Sequence, residues 1–339
     1  MNETPAGRPT LETVARAAGA SRATVSRVVN GSTTVRPDVA ESIRQAIADL
    51  GYVPNPAARS LVTQRTDSIA LILPESATRV FSDDAFFPGV IRGVGEALEK
   101  ADKQLVLLLA STQSSHDRIL RYVHGRTVDG VVLASMHGAD TLPEELRAAG
   151  VPVVTSGRPL GEATVPYIDV EHASGVKAAM DHLIGLGRRR IATISGPQDM
   201  VAGRERLAGY LAGLEALPGA VPLVEEGDFM RQSGIDAMER LLRRDPGIDA
   251  VFAASDLMAD GALRTLRRLG RRVPADVAVI GFDDVEAARF TDPPLTTVHQ
   301  PIHEIGTRLA EQILRLVAGE EEVEASVVLP TRLVVRESA

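Results

Sequence analysis

Side chains suited to contacting nucleic acid follow one another in the segment SRATVSRVVN, residues 21–30. In the major groove of DNA, arginine can read guanine, and asparagine can read adenine or hold a phosphate. If the segment is helical, its start and its exposed face present Ser21, Arg22, Ala23, Thr24, Ser26, Arg27 and Asn30. This pattern predicts a DNA-reading helix in which Arg22 and Ala23 set the base preference. The alternative is the solvated polar face of an ordinary two-helix corner.

A helix-turn-helix would hold this face in position. Thr10, which we include among the expected DNA-contacting residues, is placed as the N-cap of a first helix. The apolar face of that helix repeats at i, i+3, i+4 and i+7, through Leu11, Val14, Ala15 and Ala18. Gly19 suits the turn because it lacks a Cβ atom, and Ser21 caps the second helix. The second helix turns Val25, Val28 and Val29 inward.

A third helix completes a small N-terminal domain, which we place at residues 1–54. Pro37 suits the first turn of this helix, and Gly51 marks its end. Its apolar residues share one face: Val39, Ile43, Ala46, Ile47 and Leu50. Three short helices build only a small core, so this domain is expected to be marginally stable.

Residues 55–66 form a segment of a different kind. Pro54 and Pro56 interrupt the preceding helix, and residues 57–61 could form a helix of about one and a half turns, too short to be stable in water. One interpretation is a plain interdomain linker. The other is a hinge that folds only on DNA.

The distribution of charge separates the N-terminal residues from the rest. The whole chain has a net charge of −8, but its first 66 residues carry eight arginines and five acidic residues, a net +3. The remaining 29 basic and 40 acidic residues give −11. A basic head on an acidic body is expected if only the head touches phosphate.

Beyond residue 66, apolar runs rich in β-branched residues alternate with helical segments. The runs are IALILP (69–74), QLVLLLA (104–110), VDGVVLA (128–134), VPVVTS (151–156), RIATIS (190–195), DAVFAA (249–254) and VAVIGF (277–282). This alternation predicts an α/β fold with parallel sheets covered on both faces. DGVVLAS at 129–135 resembles DAVFAAS at 249–255, which favours two similar lobes.

Several blocks of sequence, in order, resemble the LacI family of bacterial transcription repressors. They are TLETVARAAGASRATVSRVVNG, VRPDVAESIRQAIADLGYVPNPAARSL, TDSIALILP, LGRRRIATISGP, RLAGY, AASDLMADGAL, VIGFDD and LTTVHQP. The resemblance covers nearly the whole chain and implies a DNA-binding regulator. It implies that Ala58 and Leu61 belong to a hinge helix, with Leu61 wedged into the minor groove. Asn55 joins them among the expected DNA contacts.

The resemblance also implies a two-lobed, periplasmic-binding-protein-like effector domain at residues 67–339. We expect the first lobe to comprise about 67–165 and 297–323, and the second about 166–296 and 324–339. The chain would then cross between lobes near 163–168, 293–299 and 322–326. Ligands bind such folds in the cleft, at the carboxyl ends of the strands.

Loops that follow the predicted strands supply the candidate effector-binding residues. These are Phe86, Phe87, Arg158, Arg206, Phe229, Ser255 and Asp283. Aromatic rings can cover the C–H face of a sugar, while aspartate and arginine pair with its hydroxyls. Arg206 and Asp283 match effector contacts of the family. For each phenylalanine, binding and core packing are equally open, and contacts from Arg204, Asp256 and Glu171 stay undecided.

Positions at which this sequence differs from the family narrow the range of expected ligands. Met200 replaces the arginine of purine-binding relatives, which disfavours a purine. Ser255 and Phe229 stand where lactose-type repressors carry asparagine and tryptophan, so a lactose-type pocket is not implied. We therefore predict a sugar or a related polyol, and leave open whether it induces or co-represses.

The remaining features exclude several other classes. The chain has no cysteine and therefore no disulfide or thiolate metal site. We read His299 and His303 as structural, and expect no catalytic residues, no cofactor and no metal. One competing hypothesis is a sugar-transport protein, which is disfavoured by the basic head and by a start that does not resemble a signal peptide. The other is an α/β enzyme, which is disfavoured because the sequence shows neither a phosphate-binding loop nor a catalytic constellation. We expect a cytoplasmic homodimer on a palindromic operator, away from membranes.

Overall fold

The computed structural model describes residues 9–53, 65–138, 140–320 and 322–339. The chain divides into two compact units, residues 1–67 and 68–339. Three of the predicted DNA contacts, Asn55, Ala58 and Leu61, lie outside the described residues.

The described residues of the N-terminal unit form three helices, α1 (Leu11–Ala17), α2 (Arg22–Val29) and α3 (Pro37–Leu50). Thr10 caps α1 through a capping box with Thr13, and Ser21 caps α2 by accepting from the backbone N–H of Thr24. Gly19, between the helices, has a φ of +60°, a conformation that favours glycine. The predicted helix-turn-helix is therefore present.

A small apolar core holds these three helices together. Its fully buried members are Val14, Val25 and Ile43, one from each helix. Val28 and Val29 are partly buried against the same core, as the sequence predicts. The opposite face of α2 is left exposed at Arg22, Ala23 and Arg27.

The larger unit contains two six-stranded sheets. The first includes β1 (Ser68–Leu73), β2 (Gln104–Leu109), β3 (Gly130–Leu133), β4 (Val153–Ser156), β5 (Tyr167–Val170) and β11 (Ser326–Leu329), in the order β11-β5-β4-β3-β1-β2. The second includes β6 (Ile191–Ser195), β7 (Leu223–Glu226), β8 (Ala250–Ala253), β9 (Ala278–Asp283), β10 (Thr296–His299) and β12 (Arg332–Val334), in the order β12-β10-β9-β8-β6-β7.

Helices cover these sheets. Those that connect strands of the first lobe are α4 (Ala77–Val80), α5 (Phe86–Lys100), α6 (Gln113–His124) and α7 (Leu142–Ala148). Those of the second are α8 (His172–Gly185), α9 (Val201–Leu214), α10 (Arg231–Arg244) and α11 (Asp256–Arg268), and a late helix, α12, spans Ile302–Ala318. All described strand pairs are parallel except β10 with β12, so the predicted α/β architecture is confirmed.

The chain crosses between the lobes a few residues later than predicted. Strand β5 pairs with β4 in the first sheet, so the first crossing follows Val170 and not 163–168. Strand β10 belongs to the second sheet and β11 to the first, which places the other crossings after His299 and Leu329. The observed crossings lie a few residues beyond the predicted limits of about 165/166, 296/297 and 323/324. The reason is that YIDV, TTVH and SVVL are too short or too polar to register as buried strands.

Two glycines allow α12 to pack closely against α5 of the first lobe. A Cβ atom added to Gly93 of α5 would lie 2.2 Å from the carbonyl oxygen of His303, and one added to Gly306 would lie 2.4 Å from that of Val90. The two helices therefore approach backbone to backbone, and a larger residue at either position would separate them.

None of the helices in the described residues is long and apolar enough to cross a bilayer.

Candidate functional site

A cleft between the lobes contains two adjoining cavities. Residues that follow the carboxyl ends of strands line it, as expected for a ligand site in α/β sheets. The residues shared by both cavities are Phe86, Ser135, Met200, Ala202, Arg206 and Gln300. Among these, Phe86 and Ser135 come from the first lobe. Arg206 comes from α9 of the second lobe, and Gln300 directly follows β10.

Arg206 lies at the centre of this cleft and is only 5% exposed. Its guanidinium carbon lies 3.7 Å from the centre of the Phe282 ring, a cation–π contact. Its Nη1 donates to the carbonyl of Ala254 at 2.6 Å and lies 3.7 Å from a carboxylate oxygen of Asp283. The guanidinium is thus held on several sides within reach of both cavities.

A buried histidine fixes the other side of the guanidinium. Nε of Arg206 donates to Nδ1 of His172 at 3.3 Å, so this ring nitrogen must be an unprotonated acceptor. The proton then lies on Nε2, which donates to Asp169 at 3.1 Å. Burial lowers the pKa of His172 more than the hydrogen bond to Asp169 raises it, and the charge of Arg206 lowers it further. The imidazole therefore stays neutral.

Four carboxyl groups act electrostatically on the guanidinium, and three of them have a raised pKa. Burial raises the pKa of Asp283 to about 7, although the charge of Arg206 opposes the rise. Burial also raises the pKa of Asp84 and that of Asp256, and for Asp256 the neighbouring charge of Asp283 adds to the effect. Because the pKa of Asp283 is near neutrality, its carboxyl group can donate to a hydroxyl group when protonated and accept from one when ionised.

The backbone at the end of β9 is unusual. Asp283 and Asp284 have φ values of 126° and 57°, in the region that L-residues rarely adopt. Gln300 donates to Asp283 at 2.6 Å, while Asp284 accepts from His299 at 3.0 Å. These bonds hold the strained turn so that Asp283 points toward the cleft.

The predicted aromatic residues differ in their surroundings. Phe86 is partly exposed and lines both cavities. Phe87 borders the first cavity but is 2% exposed and packs in the core of the first lobe, so packing accounts for most of its surface. Phe229 lines the first cavity with a φ of 70°, and its carbonyl accepts from the hydroxyl of Ser255. Ser255 also caps α11, which occupies its hydroxyl on both sides.

The charged residues divide into those at the cleft and those outside it. Arg158 lines the second cavity and pairs with Glu205 at 3.0 Å. Asp256 borders the first cavity, buried beneath hydrogen bonds from Thr297 and the backbone of Val285. Arg204 is exposed and donates to the carbonyl of Gln198, and Glu171 is exposed beside Ser174. Neither Arg204 nor Glu171 lines either cavity.

All seven predicted effector residues border one cavity or the other; that they bind a ligand stays a prediction. Sequence reasoning missed Asp84, Gln300 and the pair formed by Asp169 and His172. Asp84 stands in FSDDAFFPG beside the predicted phenylalanines, and Gln300 in LTTVHQP follows a strand that the pattern did not show. Asp169 has the weakest signal, because a lone aspartate in YIDV looks like a loop residue.

The chemistry of the cleft suits a polyhydroxylated ligand. Carboxyl groups and a glutamine amide surround one guanidinium, and phenylalanine rings supply apolar faces for C–H groups. Within the described part of the chain, no three histidine, aspartate or glutamate side chains are grouped so that they could hold a metal ion. His299 and His303 instead pair with Asp284 and Glu96, each at 3.0 Å.

Among the described residues, most of the predicted DNA contacts lie on α2 or at its two ends, and Thr10 caps α1. Arg22, Ala23 and Arg27 are exposed, while Thr24, Ser26 and Asn30 are partly exposed. The hydroxyls of Thr10 and Ser21 serve as helix caps, which suits them to position backbone N–H groups near phosphates. Arg22 lies 3.6 Å from Glu12, an exposed ion pair that is worth little and is easily exchanged for a base contact.

Arg22→Ala should weaken operator binding and relax its base preference. Loss of a base-reading arginine costs about 1–3 kcal/mol and acts mainly at one position of the site. Fluorescence anisotropy on a palindrome that the wild-type protein selects from random duplexes measures both effects. Arg44→Ala is the matched control, because Arg44 is an exposed arginine of α3 that pairs with Glu41. Equal losses for the two variants would contradict the reading role.

Comparisons with known proteins agree along the chain. The description "Bacterial regulatory proteins, lacI family" matches residues 10–55, and "Periplasmic binding protein-like domain" matches residues 180–339. The regulator CelR of Thermobifida fusca is 50% identical over 335 residues, which cover 98% of both chains. Catabolite control protein A of Priestia megaterium is 32% identical over 335 residues, 97% of this chain and 98% of that protein.

Solved structures show the same relationship. A CelR–cellobiose complex matches with a TM-score of 0.78 and 48% identity, covering 98% of this chain and 100% of that one. The lac repressor dimer bound to operator and the anti-inducer ONPF matches with a TM-score of 0.84 and 28% identity, covering 98% and 99%. The resemblance and the two-lobed fold expected from the sequence are both confirmed. With its helix-turn-helix and its two-lobed effector domain, this chain belongs to the LacI family of DNA-binding transcriptional regulators.

Proposed function

We propose that this regulator is a repressor whose operator affinity is controlled by cellobiose, or a closely related β-linked glucose disaccharide, bound between the lobes. The observation that supports it most is the relationship to CelR, which is half identical over nearly the whole chain and has been solved with cellobiose. A ligand specificity is more readily shared at this identity than at the 28% of the lac repressor.

The form of the cleft supports a two-ring ligand. Its two cavities adjoin at Arg206 and Phe86, and each has its own polar lining. Asp84 and Asp283 line the first cavity, while Arg158 and Asp169 line the second cavity. One sugar ring in each cavity would place Arg206 between them, where its free N–H groups reach hydroxyls of both rings.

The proposed mechanism is a coupling between two binding events. Sugar bound between the lobes favours one lobe arrangement over another, and a homodimer passes that preference to its two DNA-reading helices. Couplings of this kind are worth about 1–3 kcal/mol. The predicted hinge, residues 55–66, would carry it and stays a prediction, because residues 54–64 lie outside the described part of the chain.

This proposal includes where and how the protein acts. The chain works by binding alone, without enzymatic activity or a cofactor, because its relatives are regulators. It works in the cytoplasm, because a regulator must reach the chromosomal operator. The proposed partners are palindromic double-stranded DNA, the sugar and a second copy of the chain.

Cellobiose should release this protein from its operator. We expect about a 5- to 150-fold loss of operator affinity at saturating sugar, which corresponds to the coupling above. Gel shifts on the selected palindrome, with and without cellobiose, measure it. Maltose is the matched control, because it contains the same two glucose units in an α-linkage. Affinity should also fall steeply with salt, as expected when arginines displace counterions.

Two outcomes would contradict the proposal. Equal release by maltose would show that the cleft does not select the linkage. Tighter operator binding with cellobiose would show that the sugar is a corepressor.

A further inference from the structure

A buried carboxylate beside the cleft organises contacts that join the two lobes. Glu75 follows β1 in the first lobe and is 8% exposed. Its Oε1 accepts a hydrogen bond from the hydroxyl of Ser135 at 2.7 Å and lies 3.2 Å from Nε2 of His137. Nε of Arg79 lies 3.4 Å from the same oxygen. Glu75 therefore holds two longer side chains, Arg79 and His137, in place.

Both of these side chains reach across to the second lobe. Nη2 of Arg79 donates to the carbonyl of Asp228, in the loop after β7, at 3.0 Å. Nδ1 of His137 lies 3.0 Å from a carboxylate oxygen of Asp199, in the loop after β6. The backbone N–H of Gly138 also donates to the carbonyl of Asp199, at 2.7 Å. Two separate loops of the second lobe are thus joined to one buried residue of the first.

We propose that Glu75, Arg79 and His137 form an interlobe latch, and that its contact with Asp199 makes the sugar affinity depend on pH. In this latch Glu75 is a positioning residue, since it lines neither cavity of the sugar site and acts by orienting the two side chains that close the cleft. The inference deepens the proposed function, because it concerns the closure of the same sugar site.

The hydrogen-bonding capacity of His137 carries the pH dependence. Both of its ring nitrogens face carboxylate oxygens, which accept but do not donate when ionised. A neutral imidazole has one N–H and can satisfy only one of the two carboxylates, whereas the imidazolium donates to both. The latched arrangement therefore favours the protonated ring. The hydrogen bond to Glu75 raises the pKa of His137 above 6.5, with a further rise from Asp199, although burial opposes both.

The sign of the effect follows from what the latch loses on opening. When the lobes separate, His137 keeps Glu75 but loses Asp199, so its pKa falls toward its ordinary value. The closed arrangement binds the proton more tightly, and closure is favoured at low pH. This advantage disappears as the pH rises through the latched pKa of His137. If sugar binds the closed form, its affinity falls over that range.

Other charged groups near the latch respond differently. Burial alone would raise the pKa of Glu75, but hydrogen bonds from His137 and Ser135 and the charge of Arg79 lower it, so Glu75 stays ionised. Asp84 also faces Glu75, and burial raises the pKa of Asp84. The pKa of Asp283, which lies within the sugar site, is raised by burial to about 7. Its ionised form accepts sugar hydroxyls, so its effect on affinity has the opposite sign and must be separated.

Asp199→Asn separates the two effects, because Asp199 is 53% exposed at its side chain and lines neither cavity. Calorimetric titrations with cellobiose at pH 6.0 and 8.5 give the ratio of the two dissociation constants. We expect this ratio, high pH over low pH, to be about 3- to 10-fold smaller in Asp199→Asn than in wild type, since one pKa unit corresponds to tenfold. Asp236→Asn, an exposed change of equal charge on α10, should keep the wild-type ratio.

The proton count gives an independent readout. Titrations near pH 7 in buffers of different ionisation enthalpy report how many protons are taken up with the sugar. Uptake should be smaller in Asp199→Asn than in wild type, and unchanged in Asp236→Asn. The proposal is overturned if Asp199→Asn leaves both the ratio and the proton uptake at their wild-type values.

A measurement without sugar distinguishes failure of the latch from failure of the proposed ligand. The chain has no cysteine, so Arg118→Cys on α6 and Arg243→Cys on α10 would carry spin labels on exposed sites of opposite lobes. Mixing with excess unlabelled protein leaves one labelled chain per dimer. The short interlobe distance should be more populated at pH 6.0 than at 8.5, and Asp199→Asn should remove that difference. An identical pH response in both proteins would refute the latch even if cellobiose does not bind.

Discussion

Arg206→Gln should lower the affinity for cellobiose by at least about 100-fold. Removing one partner from a buried, hydrogen-bonded charge group costs about 3–5 kcal/mol. In this cleft the loss has two parts: the ligand loses its charged donors, and Asp283 loses the cation that opposes its protonation. Isothermal titration at pH 7 measures the affinity directly. Arg206→Lys should fall between the two proteins, because lysine keeps the charge but lacks the planar fork.

The control for this prediction comes from the same helix. Arg204 is exposed and donates to the carbonyl of Gln198 outside both cavities, so Arg204→Gln should bind cellobiose as the wild type does. Thermal unfolding of both variants separates binding from folding, since a properly folded Arg206→Gln still shows a cooperative transition. A folded Arg206→Gln protein that binds cellobiose within a few-fold of wild type would show that Arg206 is structural.

The fold was largely predictable because its central strands are continuous apolar runs. Segments such as IALILP and VAVIGF are buried on both faces and register as strands from composition alone. The shorter strands at β5 and β10 contain Asp169 and two threonines, which have functions beyond packing. Because those two strands precede two of the three crossings, the sequence pattern places the lobe limits a few residues too early.

The site was predictable where a strand end carried an unusual side chain. Arg206 and Asp283 follow recognisable strands, so the sequence places them at the cleft, and their contact with a ligand stays a prediction. The sequence does not place His172 and Gln300 there, because their roles arise only when α8, α9 and β10 pack together. Glu75 shows the same limit more strongly: its partners Arg79 and His137 acquire a role only through contacts with Asp199 and Asp228 of the other lobe.

Ile43→Ala should abolish operator binding while leaving cellobiose affinity unchanged. Ile43 is fully buried in a core with few other buried side chains, and its truncation costs about 2–5 kcal/mol. A domain of three short helices has little stability to lose, so most molecules would carry an unfolded head at 37 °C. Residues 68–339 form a separate compact unit with its own cores, which this change does not touch.

Hydrogen exchange of residues 9–53, operator binding by anisotropy and cellobiose titration test this prediction together. Leu50→Ala is the matched control, because Leu50 lies on the same helix but is 38% exposed. It should retain protected amides and operator binding, since truncating an exposed side chain leaves no cavity. If Ile43→Ala weakened sugar binding as much as operator binding, the two units would not fold independently. Only independent folding lets the sugar control the DNA-binding unit through a connecting segment, so this result decides whether the coupling can be a switch between two folded bodies.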